Sequence, residues 1–347
     1  MPYSLNIALA SGAVALVLTP LARSLALRAG ALDHPGPRRI HVTPTPRFGG
    51  LGIAAAVLSV AWIARVLPGP ARELDPRPLL GLTCASVPIL ALGVFDDLRG
   101  VGPWAKLAVQ AIAALILVGF GLGVPMLTNP FGPPLLTGAW GVPLTVLWVI
   151  VLTNAINLID GLDGLAAGVV AIACGALWVT ARGHGDFYVM FVAAILLGAC
   201  SGFLWWNRPP ARVFMGDTGS QFLGLTLSAL SLLQNRKGTA ALTLLLPLVA
   251  LGVPIADSTL AFVRRIVRGQ HVFRGDAGHI HHRLLNAGLS PRMALAALWS
   301  LSAVFGAAAI LLERLPHRWT PAVVGGLALV LITVLVGARV IALRRRD

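Results

Sequence analysis

Charge is what this sequence has least of. Only 12% of its 347 residues are Asp, Glu, Lys or Arg, against about a quarter in an ordinary soluble domain. Apolar residues make up 57%, and the mean hydropathy is +0.83, so a water-soluble globule is excluded and a membrane protein is implied. Acidic residues are scarcer still, 13 against 27 basic ones, a net charge of +14. In a soluble chain that excess would suggest nucleic acid. Here the basic residues sit in short stretches between apolar runs, where lipid headgroups and topology account for them, and no nucleic-acid partner is expected.

Cysteine is nearly absent. Cys84, Cys174 and Cys200 each fall inside an apolar segment, without the spacing of a disulfide framework or a metal site, and read as small buried side chains. No internal repeat and no separate soluble domain are visible. The longest connections, about Ala29 to Phe48, Pro125 to Gly141 and Arg264 to Pro291, are loop-sized, so residues 1–347 are expected to form a single transmembrane domain. The first apolar run, from about Leu5 to Leu27, is too long for a signal-peptide core and lacks a basic leader and a clear cleavage site. It is expected to stay as a spanning helix.

What is present is a succession of apolar segments. A spanning helix needs about 20 mostly apolar residues, and on that ruler about eleven segments are predicted, an all-α polytopic architecture. They centre near Ala15, Val57, Ser86, Ala114, Leu152, Ala173, Ile195, Leu227, Val249, Ser302 and Leu331. Counting connections alternately places "DHPGPRRIHVTPTPRFGG", "FDDLRG", "NLIDGLDG", "NRPPARVFMGDTGS", "RRIVRGQHVFRGDAGHIHHRLLNAG" and the tail "RRRD" on one side. That side takes 19 of the 27 Lys and Arg residues, which by the positive-inside rule makes it cytoplasmic.

Six stretches on that side carry chemistry. "NAINLIDGLDGLAAG" puts Asn154, Asn157, Asp160 and Asp163 at three-residue steps inside an apolar run. Capping beside Gly161 and Gly164 would explain one or two of them, whereas four at that spacing on a helix form a polar stripe that reads as a ligand-facing edge. "GVFDDLRG" brings Asp96 and Asp97 together at a helix end, and Lys106 follows at the start of the next helix, either snorkelling or contacting phosphate. In "FMGDTGSQ", Asp217 lies between Gly216 and Gly219 at a helix start, a setting for a cap or for a Mg2+-phosphate group.

"GHIHHRLL" supplies His279, His281 and His282 with Arg274 and Arg283 nearby. No matching thiolate set exists for zinc, so the histidines read as donors to phosphate. "RRIHVTPTPRFGG" combines Arg38, Arg39, His41 and Arg47 with Gly49 and Gly50, and topology alone would explain its arginines. Asp257, in "VPIADSTLAFVRR", lies one and a half to two turns inside the membrane from Arg264. An intramembrane acid of that kind is a functional candidate unless a neighbouring helix partners it.

In this order the stretches resemble those of the polyprenyl-phosphate N-acetylhexosamine-1-phosphate transferases, the MraY/WecA-like glycosyltransferase family 4. The likeness covers nearly the whole chain, from "PTPRFGG" through "DD", "NAINLIDGLDGLAAG" and "FMGDTGS" to "HIHHRLLNAG". "RRIHVTPTPRFGGLGI" and "HIHHRLLNAG" look like the WecA/TagO branch, which acts on UDP-N-acetylglucosamine or a related donor. The phospho-N-acetylmuramoyl-pentapeptide branch is the alternative.

The resemblance implies a Mg2+-dependent enzyme, with Mn2+ as a substitute, acting on a UDP-N-acetylhexosamine and a polyprenyl (undecaprenyl) phosphate in the bacterial cytoplasmic membrane. It admits a homodimer. It implies metal binding by Asn157 and Asp217, a phosphate contact by Lys106, and a catalytic acidic pair in Asp96 and Asp97. Phe214 matches an aromatic that stacks on uracil, and Gly161 and Asp163 match positions reading the uracil edge. The loop of His279, His281 and His282 matches the segment over the pyrophosphate and sugar. Asp160 is added to the catalytic set, and Arg47, Asn154 and Arg283 to the substrate-binding set. Single and double displacement both remain open. A polytopic transporter is the rival of a different class, disfavoured because its sites lie near the midplane between repeated halves, whereas these polar groups gather at one surface.

Overall fold

The computed structural model describes residues 2–35, 43–127, 135–235, 251–253, 255–257, 259–260 and 280–344. Its helices are α1 (Pro2–Ala29), α2 (Gly49–Val66), α3 (Pro76–Arg99), α4 (Pro103–Gly119), α5 (Gly141–Ile159), α6 (Leu165–Gly183), α7 (Phe187–Asn207), α8 (Gly216–Asn235), α9 (Ile280–Asn286), α10 (Pro291–Arg314) and α11 (Thr320–Arg344). Among the described residues, strand structure is confined to two antiparallel ladders, β1 (Leu32–Asp33) on β2 (Thr45–Pro46) and β3 (Met126–Leu127) on β4 (Leu135–Leu136).

Among the described residues, seven helices, α1, α2, α3, α5, α6, α7 and α10, are long and apolar enough to cross a bilayer. The chain is a multi-pass, all-α membrane protein. Every expected segment centre falls within a helix except Val249, which lies outside the described residues. The termini follow from local chemistry. Asp75 caps α3 by accepting from the Arg77 N–H with Pro76 at the first helical position, and Ser290 caps α10 at the Met293 N–H with Pro291 in the same role. Gly100, at φ +75°, ends α3.

Helix α1 packs on α2 and α7 and turns a row of large apolar side chains outward, Leu9 at 63% and Val17 at 64% exposure among them. Such a face suits hydrocarbon, not water. Helix α8 is buried on all sides from Thr218 to Leu233 and packed against α2, α3 and α5. It can sit that deep because small residues line the crossings. A Cβ at Gly50 would lie 2.1 Å from the Gly219 Cα, and one at Gly93 would lie 2.3 Å from the Thr218 Cα. Cys174 and Cys200 are buried as expected. Cys84, expected to be buried, is exposed, because its position on α3 faces away from the bundle.

Candidate functional site

The start of α8 is the organising point. Its first N–H groups need acceptors, and they are capped by a residue of another helix. The Asp97 carboxylate takes the Asp217 N–H at 2.9 Å on Oδ1, and the Thr218 N–H at 3.1 Å and hydroxyl at 2.6 Å on Oδ2. Gly216, at φ +72°, makes the approach feasible, since a Cβ there would sit 2.5 Å from Asp97 Oδ2. On the other flank, the Phe214 N–H donates to the Pro46 carbonyl at 2.7 Å, and the N–H groups of Gly49 and Gly50 donate to the carbonyls of Phe214 and Met215, each at 2.9 Å. The "PRFGG" and "VFMGD" stretches are thereby zipped into one rigid corner.

The two neighbouring acids of α3, expected to form a catalytic pair, have different surroundings. Asp97 is 6% exposed and fully engaged by α8. Asp96 accepts from the Val101 N–H at 2.5 Å and from Lys106 Nζ at 2.8 Å. The same ammonium group also bonds Asp217 Oδ2. Lys106 therefore does not snorkel; it bridges Asp96 and Asp217, joining α3, α4 and α8 at one charge.

Asn157 donates to the Ser220 hydroxyl at 2.8 Å, three residues along α8 from Asp217, and lines the same cavity. The predicted polar stripe, however, is not one helical face. Helix α5 ends at Ile159, Asp160 is its C-cap, and Asp163 stands in the turn before α6. Only Asn154 and Asn157 are helical, and Asn154 is turned inward, donating to Gln110 Oε1 and to the Ile150 carbonyl, each at 2.8 Å. Asp163 Oδ2 takes the Ala211 N–H at 2.9 Å. Beside it, the Asn207 carboxamide accepts from the Gly164 N–H and donates to the Val213 carbonyl, both at 2.9 Å, so the turn is stitched to the segment leading into α8.

These groups open onto a cavity of about 860 Å3, whose lining includes Asn157, Asp160, Gly161, Asp163, Phe214 and Asp217. Asp97 also reaches it, and Asp96 and Lys106 stand behind Asp217. Arg47 lines the cavity and is ion-paired with Asp33 across the β1–β2 ladder. His282, on α9, also lines it, with Arg283 the next residue of that helix, and so does Arg292 at the start of α10. Asp257, buried at 4%, accepts from the Ile280 N–H at 2.9 Å and so anchors the first turn of α9. His279, Arg274, Arg264, Arg38, Arg39 and His41 lie outside the described residues, as does the side chain of His281.

Burial pushes the Asp160 carboxyl well above the usual carboxylate range, and the charges of Asp217, Asp97 and Asp163 add to the shift. Several carboxylates thus converge on the cavity, and of these Asp217 is the one paired directly with Lys106. That excess of negative oxygen suits a hard divalent cation. No group of three or more His, Cys, Asp or Glu that could hold a metal occurs among the described residues. A carboxylate and a carboxamide, Asp217 and Asn157, are nonetheless the sparse oxygen set that Mg2+ accepts when substrate phosphates and water complete its shell. The residues fit the ion.

Residues 79–235, which span α3 to α8 and so contain most of this wall, match the family model of glycosyl transferase family 4. Over 303 residues the chain is 37% identical to a probable undecaprenyl-phosphate N-acetylglucosaminyl 1-phosphate transferase of Bacillus subtilis, covering 86% of this chain and 82% of that protein. The chain belongs to glycosyl transferase family 4. Family members similar to it include a decaprenyl-phosphate N-acetylglucosaminephosphotransferase of Mycobacterium leprae, 36% identical with 98% of this chain and 91% of the relative covered. A phospho-N-acetylmuramoyl-pentapeptide-transferase of Synechococcus is 35% identical with 77% and 76% covered.

For this family member the sequence did not reveal Asp33, Asn207, Gln110, Gln221 or Thr218 as parts of the site. Two of them carried a usable signal. Gln110 and Gln221 each lie four residues beyond a charged site residue, Lys106 and Asp217, and so share its helical face. Asp33 and Asn207 act through loop pairings that no periodicity announces.

Proposed function

We propose that this protein transfers N-acetylglucosamine-1-phosphate from UDP-N-acetylglucosamine to a polyprenyl phosphate, releasing UMP and leaving a polyprenyl diphosphate sugar. The reaction is the initiating membrane step of a cell-envelope polysaccharide, run at the cytoplasmic face of a bacterial inner membrane and dependent on Mg2+. The observation that carries the reading is the meeting of three helices at one point, with Asn157 and Asp217 on the cavity wall and Lys106 paired to Asp217 behind it. The names of the similar proteins support the acceptor and the transferred group.

Both substrates are anionic, so their encounter is opposed by charge. A divalent ion held by Asn157 and Asp217 would supply charge neutralisation at the pyrophosphate. Lys106 adds a fixed cation next to that position, and His282 and Arg292 offer donors on the cavity wall. An oxygen of the polyprenyl phosphate attacks the phosphorus that bears the sugar. The bond from that phosphorus to the bridging oxygen breaks, and UMP leaves with that oxygen. Phe214 and the turn of Gly161 to Asp163 form the wall suited to the uracil ring.

Asp97, with both oxygens engaged by α8, positions Asp217. Asp160, on the cavity wall, is the acid left to accept a proton from the lipid phosphate, while Asp96, with both oxygens engaged, holds Lys106 in place. The stated reaction predicts Mg2+-dependent UMP release from UDP-N-acetylglucosamine when membranes receive polyprenyl phosphate, and its loss in Asp217→Asn with insertion retained. Undiminished release in that variant refutes the metal assignment. A donor panel that yields UMP only from UDP-N-acetylmuramoyl-pentapeptide would transfer the protein to the second branch.

A further inference from the structure

We infer that Gln110 and Gln221 are positioning residues which fix the orientation of the Asp217 carboxylate through a one-way chain of amides running from α5 through α4 to α8. The chain starts at the Ile150 carbonyl, which can only accept. Asn154 Nδ2 donates to it and to Gln110 Oε1, each at 2.8 Å. Both amide protons of Asn154 are thereby used, and reversing its side chain would set oxygen against oxygen. Gln110, 1% exposed, must keep its oxygen toward Asn154, so its nitrogen faces Gln221 Oε1 at 3.4 Å. Gln221, with no exposed surface, is left with its nitrogen toward Asp217 Oδ2 at 3.5 Å. A carboxylate, again acceptor-only, closes the far end.

An amide in water could flip freely, but a buried one flanked on each side by a group of fixed polarity cannot. The two outer links are long beside the 2.8 Å contacts at Asn154, so the chain contributes direction more than strength. Lys106 supplies the strength on the same oxygen. Together they hold Oδ2 on the α4 side, leaving Oδ1 outside the grip of Lys106 and Gln221. None of the amides in the chain lines the cavity, so they act only through Asp217. What Asp217 is oriented for rests on the transferase reading; the orientation itself does not.

The test uses Gln110→Met and Gln221→Met, which keep volume and remove polarity, singly and combined in the full-length, detergent-purified protein. Mn2+ alone is titrated by electron paramagnetic resonance without substrate. Each single variant should weaken Mn2+ binding about tenfold, the low end of the roughly 10–100-fold loss of an outer-shell partner because the links are long, and raise the half-saturating Mg2+ for UMP release equally. The KM for UDP-N-acetylglucosamine at saturating Mg2+ should not move. Because Gln110 acts through Gln221, the double variant should match Gln221→Met alone. Wild-type Mn2+ affinity in Gln221→Met, or additive losses in the double variant, overturns the proposal. If Gln110→Met does not fold, Asn154→Leu at the half-buried end of the chain takes its place, and unchanged Mn2+ affinity there overturns it too. Should the wild type release no UMP, the transferase reading fails while the Mn2+ titration still decides the relay.

Discussion

Changing Asp97 to Asn should cost stability first and turnover only in consequence, whereas the same change at Asp96 should do the reverse. Asp97 Oδ2 receives two hydrogen bonds from Thr218, and Oδ1 receives one from the Asp217 N–H. Asparagine keeps one oxygen, so a carboxylate acceptor for the Thr218 N–H disappears in a site only 6% exposed. A hydrogen bond to a charged group contributes about 1.5–3 kcal/mol, and losing a helix cap costs about 0.5–2 kcal/mol. The Thr218 hydroxyl can turn to accept from the new amide, and one negative charge near Asp160 and Asp217 is removed, so a net loss of about 2–4 kcal/mol is expected. At about 2–4 °C per kcal/mol for a large domain, the thermal midpoint in detergent should fall by about 4–16 °C. Asp96→Asn keeps the Val101 contact and leaves Lys106 its pairing with Asp217, so its midpoint should fall clearly less than that of Asp97→Asn. Its UMP release should fall at least tenfold because Lys106 loses one of its charged partners. A wild-type midpoint for Asp97→Asn, or a large drop for Asp96→Asn alone, would refute the division of labour between the two acids.

Lys106→Gln should reduce turnover about a hundredfold or more by removing a charge preorganised at the reacting phosphates, and Lys106→Arg should not restore it, since a planar fork cannot replace a compact ammonium between two carboxylates; initial-rate assays on purified protein decide both. Gly50→Ala should lower the yield of folded protein and the thermal midpoint, because its Cβ would meet the Gly219 Cα at 2.1 Å and overpacking costs about 1–3 kcal/mol or more; a midpoint equal to wild type would show that α2 and α8 can separate. A reporter fused after Asp347 should lie in the cytosol, as the parity of the connections requires, and a periplasmic readout would reverse the assigned face.

The helices were legible because bilayer length and hydropathy leave few alternatives, and Leu152, Ala173 and Ile195 each mark the body of a helix as expected. The site was legible where one residue announces itself chemically: an acid between glycines at Asp217, or a lysine alone in an apolar helix at Lys106. What sequence could not convey is which acid faces which partner. Asp96 and Asp97 are adjacent and identical in type, yet a turn of one residue on α3 sends one to Lys106 and the other under α8. The stripe from Asn154 to Asp163 was misjudged for a related reason. Three-residue steps make a face only while the helix continues, and α5 stops at Ile159. Asp257 looked like a membrane acid in need of a role, and the backbone of Ile280 provides one that no local pattern encodes.

The glycine crossings of α8 have a consequence for how such a protein can diverge. With Gly50 against Gly219 and Gly93 against Thr218, the floor formed by the start of α8 has no room for a larger residue at either crossing. Under the proposed transfer, adjustment to a different sugar would come instead from the rim of the cavity to which His282, on α9, and Arg292, at the start of α10, contribute. Chimeras that exchange the rim while keeping the floor should therefore alter donor choice without disturbing the chemistry beneath it.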